Sequence, residues 1–222
     1  MLVEKWLFEG AKVEEVKSGK ASKYSPQLLS TLIREEQTVK HVYNDYKGAK
    51  SYYCKEHEGH PSFKGDKCKE QSHWGEIKRF KLKGYGNPTI GVGHLIVGED
   101  ALKKWCDKGE LSDDDLKSLL GDDLEPRVKQ LLAALPKDKD PPTQCQFDAM
   151  LSIIFNRGIG KIGGSGFKSS VFYQEYVIKG NYAGKDEKER EKIEKSIIDD
   201  GSKLKGSQRR KNEAEMYFNC KY

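Results

Sequence analysis

Three groups of residues have the types and spacing to do chemistry. The first is a pair of carboxylates. Glu36 ends the apolar segment "SPQLLSTLIREE", and Asp45 follows nine residues later, near the end of "TVKHVYNDY". Cleaving a glycosidic bond takes one carboxyl kept protonated as a general acid. It also takes a second group that holds a nucleophile or steadies positive charge. A glutamate at an apolar helix end is pushed towards its neutral form by desolvation, whereas an aspartate in a polar turn stays ionised. On spacing alone the plainer reading is that Glu35, Glu36 and Asp45 are solvated surface charges. The second group is "NPTIGVGHL", residues 87–95, with Thr89, two glycines and His94. No helix start follows it at once, so it is not a phosphate loop. One ligand-type residue does not make a metal box. By itself Thr89 reads as a β-former in a strand. The third group is "CKEHEGHPSFKGDKCKEQSH", with Cys54, His57, His60 and Cys68, and His73 to spare. A zinc ion would staple such a loop, and so would a Cys54–Cys68 disulfide. A solvated loop with free thiols fits as well.

Elements must hold these residues in place. Ser25 is a cap and Pro26 a first helical residue, with Leu28, Leu29, Leu32 and Ile33 at helical spacing. This short helix should end near Glu35 and Glu36. The β-branched and aromatic run "TVKHVYNDY" suits a strand. Residues 46–85 read as an inserted hairpin or loop, after which strand character resumes over Thr89 to His94. From Ser112 the pattern is helical. Its stripe is Leu116, Leu119, Leu120, Leu124, Val128, Leu131, Leu132 and Leu135, with Pro126 implying a kink or restart. Thr143 and Gln146 form a capping box ahead of a buried helix carrying Phe147, Met150, Leu151, Ile154 and Phe155. "GIGKIGGSGF" is a glycine-rich turn. "SSVFYQEYVIKG", "DEKEREKIEKSIIDDG" and "SQRRKNEAEMYF" read as further helices, the last capped by Ser207. Strands confined to residues 37–98 and helices elsewhere make an α+β fold, in which a small sheet lobe and a helical lobe are joined by the long helix from residue 113. Residues 1–24 form a polar lead-in segment, and residues 25–222 form the domain.

Composition narrows the function classes. A hydrophobic share of 36% against 34% charged residues makes a heavily charged surface, and no apolar run approaches a membrane span. Met1 to Glu9 is too short in its apolar part, and too acidic in its flanks, for a secretory signal. A net charge of +5 suits an anionic partner such as bacterial cell wall. No basic tract interleaves with aromatics, so nucleic acid is not expected. Five cysteines leave at least one unpaired in a monomer, and Cys145 on its apolar helix reads as a buried thiol.

Four segments in order, "LIREEQTVKHVYND", "NPTIGVGHL", "QCQFDAMLSIIFNRGIG" and "GSQRRKNEAE", resemble the phage-type lysozyme family of endolysins and muramidases. The resemblance covers about residues 28–45 and 86–218. It implies a lysozyme-like fold with a small antiparallel sheet lobe and a larger helical lobe. It also implies hydrolysis of the β-1,4 bond between N-acetylmuramic acid and N-acetylglucosamine, with inversion. Glu36 matches the family's catalytic glutamate, and Asp45 and Thr89 match the pair that holds the attacking water. His94 and Asp123 match a structural ion pair between the lobes. Arg210 matches the C-terminal-helix arginine that contacts the glutamate, with Arg209 its near neighbour, and Asn156 matches a polar position lining the cleft; the resemblance thus makes Asn156 and Arg210 the expected substrate-binding residues. Asn156 reads equally well as an amide closing a helix end. Gln37 and Val39 stand where the family often has glycine and arginine, and Asp45 and Thr89 are far further apart in the chain than usual. The expected partner is peptidoglycan, with an immunity or inhibitor protein as a second candidate. No cofactor, metal or membrane is expected, and the chain is taken as a monomer. It would act in the periplasm or wall of a target bacterium, as a phage endolysin or as the lysozyme domain of a secreted bacterial effector. The rival readings are a lytic transglycosylase and a catalytically silent peptidoglycan-binding module.

Overall fold

Pro26–Glu35 form the first helix, α1, in the computed structural model, which describes residues 21–36, 38–46, 49–52, 87–199 and 207–222. The Ser25 side chain accepts from the Leu28 N–H, and Pro26 sits where a missing N–H costs nothing. Leu28, Thr31 and Leu32 turn inward. Ala21, ahead of α1, is buried in the main core.

Among the described residues four strands form one antiparallel sheet: β1 (Val39–Tyr46), β2 (Ala49–Tyr52), β3 (Asn87–Gly91) and β4 (His94–Leu95), in the order β2-β1-β3-β4. The start of the expected insertion is therefore a strand, β2, paired with β1. Of the expected insertion over residues 46–85, residues 47, 48 and 53–85 lie outside the described residues. "TIGVGH" is not one continuous strand. It is a hairpin with Ile90 opposite His94, turning through Val92 and Gly93. Gly91 and Gly93 have positive φ, so they serve the turn. Gly91 also lies close against Leu116 and Leu119.

Val42 and Ile90 point from one face of the sheet into a small core. They meet Leu102 and Cys106 of helix α2 (Glu99–Lys108), Leu111, and Leu116 and Leu119 of helix α3 (Asp113–Ala134). Helix α2 is one the periodicity did not mark. Farther along α3, Leu120, Leu124, Val128 and Leu131 enter the larger core. One helix thus feeds two cores, and its long leucine stripe is shared between lobes. Leu132, part of that stripe in the sequence, is exposed instead. The helix runs continuously through Pro126, so no restart occurs.

Helix α4 (Gln144–Arg157) is the axis of the larger lobe, with every residue from Gln146 to Ile154 buried. Its Thr143–Gln146 capping box is present on both sides. Cys145 is not a free thiol: it is disulfide-bonded to Cys220, just past the end of α6. Apolar periodicity marks a cysteine as inward-facing without saying what it meets. Cys106 is disulfide-bonded too. After the glycine turn, the expected helix over "SSVFYQEYVIKG" is a short 3-10 turn, Phe167–Ser169, followed by a π-helical turn, Tyr173–Val177. The wider turn lets Phe172, Tyr173 and Val177 all point inward. Helices α5 (Glu187–Ile198) and α6 (Gln208–Asn219) complete the lobe.

Candidate active site

Glu36 stands where the chain leaves the helical lobe for the sheet. It is the residue after α1, its N–H donates to the Leu32 carbonyl at 2.9 Å, and its backbone is extended. Two residues on, the Thr38 hydroxyl donates to the Ile33 carbonyl at 2.8 Å and closes the helix end again. The Glu36 backbone is thus held from both sides. Its side chain, 29% exposed, accepts a hydrogen bond from Arg209 Nη1. Beside it, Glu35 accepts from Asn212 Nδ2 at 2.7 Å.

The partners come from the first turns of α6. Ser207 caps that helix by accepting from the Arg210 N–H. In this helix, as docked, Arg209 turns towards Glu36 while Arg210 turns inward. The guanidinium on Glu36 is therefore that of Arg209, one position before the arginine the resemblance selects. Arg210 is fully buried: its Nη1 donates to Glu213 and its Nη2 to Asn156 Oδ1 at 3.1 Å. Asn156 is exposed and does not close its helix. Gly158 does that, donating its N–H to the Ile154 carbonyl.

Glu213 is 1% exposed and collects three donors: Ser152 Oγ at 2.9 Å, Arg209 Nε at 3.3 Å, and Arg210. Burial pushes its carboxyl up, and Arg210, Arg209 and Ser152 pull it back. Burial alone would lower the pKa of Arg209, but Glu36 and Glu213 together hold it above its ordinary value. Arg209 Nη2 is buried and makes no hydrogen bond among the described residues. Glu213 and Ser152 carried no signal in the sequence beyond the helical i,i+3 and i,i+4 spacing of Arg210, Arg209 and Glu213.

Across the junction, the β1–β3 register sets Tyr43 opposite Thr89 and Asp45 opposite Asn87. Asp45 and Thr89 are diagonal neighbours on adjacent strands, despite the long stretch of chain between them. A bulge between Val39 and Tyr43 shortens β1. Val39 pairs with Gly91, so six steps along β1 match four along β3, which sets Asp45 about 14 Å rather than about 20 Å along the sheet from Val39. Thr89 and Tyr43 are buried on the face opposite Val42 and Ile90, away from the small core.

His94 Nδ1 lies 2.9 Å from Asp123 Oδ1, tying β4 to α3 at the joint between the lobes. The Cys54, His57, His60, Cys68 and His73 cluster lies outside the described residues. Among the described residues no three His, Cys, Asp or Glu side chains converge as metal ligands.

A larger helical lobe and a small antiparallel sheet lobe, joined by one long helix with a glutamate at the junction, define a lysozyme-like α+β fold. The chain belongs to the phage lysozyme family, whose model matches residues 75–214, more than half of its length. That membership supports a peptidoglycan hydrolase of the muramidase kind. The match begins after Glu36 and Asp45, so it does not reach those two residues. Among solved structures, the chain resembles a P22 lysozyme mutant with a TM-score of 0.54 and 19% identity, over 88% of this chain and 97% of that one. It also resembles an endolysin from the Escherichia coli O157:H7 phage FAHEc1 with a TM-score of 0.51 and 17% identity, over 90% and 96%. At such identities the likeness is one of fold. No curated protein matches the sequence.

Proposed function

We propose that the chain hydrolyses the β-1,4 bond between N-acetylmuramic acid and N-acetylglucosamine in peptidoglycan, with Glu36 as general acid. Asp45 and Thr89 hold the attacking water on the opposite face of the sugar, so the anomeric carbon inverts. The water's proton passes to Asp45 as the glycosidic oxygen takes the proton of Glu36. The observation that carries this reading is the register that makes Asp45 and Thr89 diagonal neighbours, in a family fold whose lobe junction is occupied by a glutamate held by arginine. Arg209 orients Glu36 in this scheme, Arg210 supports that orientation from behind with Asn156, and His94 with Asp123 joins the lobes without entering the chemistry.

The site of action we propose is the periplasm or wall of a target bacterium. The Cys145–Cys220 disulfide supports an oxidising compartment, and the net charge of +5 suits an anionic wall. No helix among the described residues is long and apolar enough to cross a membrane. We take residues 46–85 as an insertion within the lysozyme-like domain.

Glu36→Gln keeps the size and removes the proton. It is expected to cut reducing-end release from purified peptidoglycan by about a hundredfold or more, with the far-UV circular dichroism and melting transition retained. A folded variant with full activity contradicts the assignment.

A further inference from the structure

One guanidinium serves two carboxylates. Arg209 Nη1 donates to Glu36, and Arg209 Nε donates to Glu213 Oε1 at 3.3 Å. We propose that Glu213 is a positioning residue for the reaction: by sharing Arg209 it weakens the arginine's hold on Glu36 and keeps Glu36 able to carry its proton. The inference rests on Glu36 being the acid.

A buried arginine that answered to Glu36 alone would favour the carboxylate, which is the wrong state for a proton donor. A second carboxylate on the same arginine divides that field and adds a negative charge of its own. Glu213 is built for the task. Ser152 and Arg210 fix its two oxygens independently of Arg209, and Arg210 is fixed in turn by Asn156. A continuous chain runs from Asn156 through Arg210, Glu213 and Arg209 to Glu36. The charged residues on the elements meeting at Glu36 are Arg34 and Glu35 on α1, Lys40, His41 and Asp45 on β1, and Arg209, Arg210, Lys211, Glu213 and Glu215 on α6, with Tyr43, Tyr46 and Tyr217 the titratable phenols. Helix α4 contributes the neutral Ser152 and Asn156 there, with Arg157 at its end. Arg209 contacts both Glu36 and a second carboxylate, that of Glu213.

The test is the pH profile of turnover on solubilised peptidoglycan for the wild type, Glu36→Gln, Glu213→Gln, Glu213→Asp and the double variant Arg210→Gln/Glu213→Gln. The double variant replaces the buried Arg210–Glu213 ion pair with neutral amides, so no buried charge is left without its partner and the fold is preserved. Glu36→Gln is expected to be inactive. Glu213→Gln and the double variant are expected to move the alkaline limb about one pH unit towards acid. At neutral pH kcat should fall by up to about tenfold with KM little changed, since substrate contacts are untouched. Glu213→Asp keeps the charge and should keep the limb, even where melting drops. A folded Glu213→Gln or double variant with an unmoved limb would overturn the proposal and leave Glu213 a purely structural ion-pair partner. An active Glu36→Gln would overturn the underlying reading instead.

Discussion

The backbone of Glu36 is settled by helix closure, with Leu32 and Ile33 as the acceptors, so its side chain is left to be tuned by what comes from α6. Thr89 is the reverse case: a buried strand residue whose type the sheet alone would explain, and whose proposed role beside a water rests on its hydroxyl. Thr89→Val retains the strand preference and loses the hydroxyl, while Thr89→Ser retains the hydroxyl. Valine is expected to lower turnover by about a hundredfold and serine by far less, measured as kcat on peptidoglycan fragments with folding followed by melting. The order of four motifs pointed to the His94–Asp123 contact, which is present, and to Glu36 and Thr89, whose roles in the chemistry are the reading proposed above. The choice between Arg209 and Arg210 was not legible in the sequence. Adjacent helical residues point about 100° apart, and which one meets Glu36 depends on how α6 docks, which no local pattern records. Glu213 was invisible for the same reason, as one acid among many on a charged helix.

Caps were the most readable features among the elements. Ser25, Ser112, Thr143 and Ser207 each accept a backbone N–H as their residue types require. Pro126 does not end the helix: its cost of about 3 kcal/mol is offset by the burial of Leu124, Val128 and Leu131 around it. The Arg127 side chain also supplies a donor to the Asp123 carbonyl. The hairpin in "TIGVGH" was missed because two glycines in a strand-like run serve a bulge or a turn equally well. The start of α3 makes a pH prediction. Lys108, then Ser112, hold Asp115 down from 3.8 to about 2. A depressed carboxylate adds stability above its unfolded pKa and loses it as pH falls through the folded value. Asp115→Asn should therefore be less stable than wild type at neutral pH. The gap in urea midpoint should stay open down to about pH 4 and close near pH 2.

At the scale of the whole molecule, the two cores are linked by α3 and by the chain through Glu36, so the site sits where the lobes are joined. The end of the chain is clasped to α4. Cys220 is bonded to Cys145, and Tyr222 Oη donates to Asp148 Oδ2 at 2.7 Å. The other oxygen of Asp148 accepts from the Ser25 N–H and from Gln144. Helix α6 carries Arg209, so this clasp holds the arginine that contacts Glu36 as well as the fold. The disulfide closes a loop with a sequence separation of 75, for which chain entropy gives about 4 kcal/mol. Cys145→Ser/Cys220→Ser should lose about that much in chemical denaturation. No periodicity could pair Cys145 with a cysteine so far along the chain.

The most direct test of the account is mass spectrometry of the fragments that the wild-type protein releases from purified peptidoglycan. Attack of water assisted by Glu36, Asp45 and Thr89 predicts fragments ending in reducing N-acetylmuramic acid. Fragments ending in 1,6-anhydro-N-acetylmuramic acid, or binding to the wall with no fragments released, would contradict it.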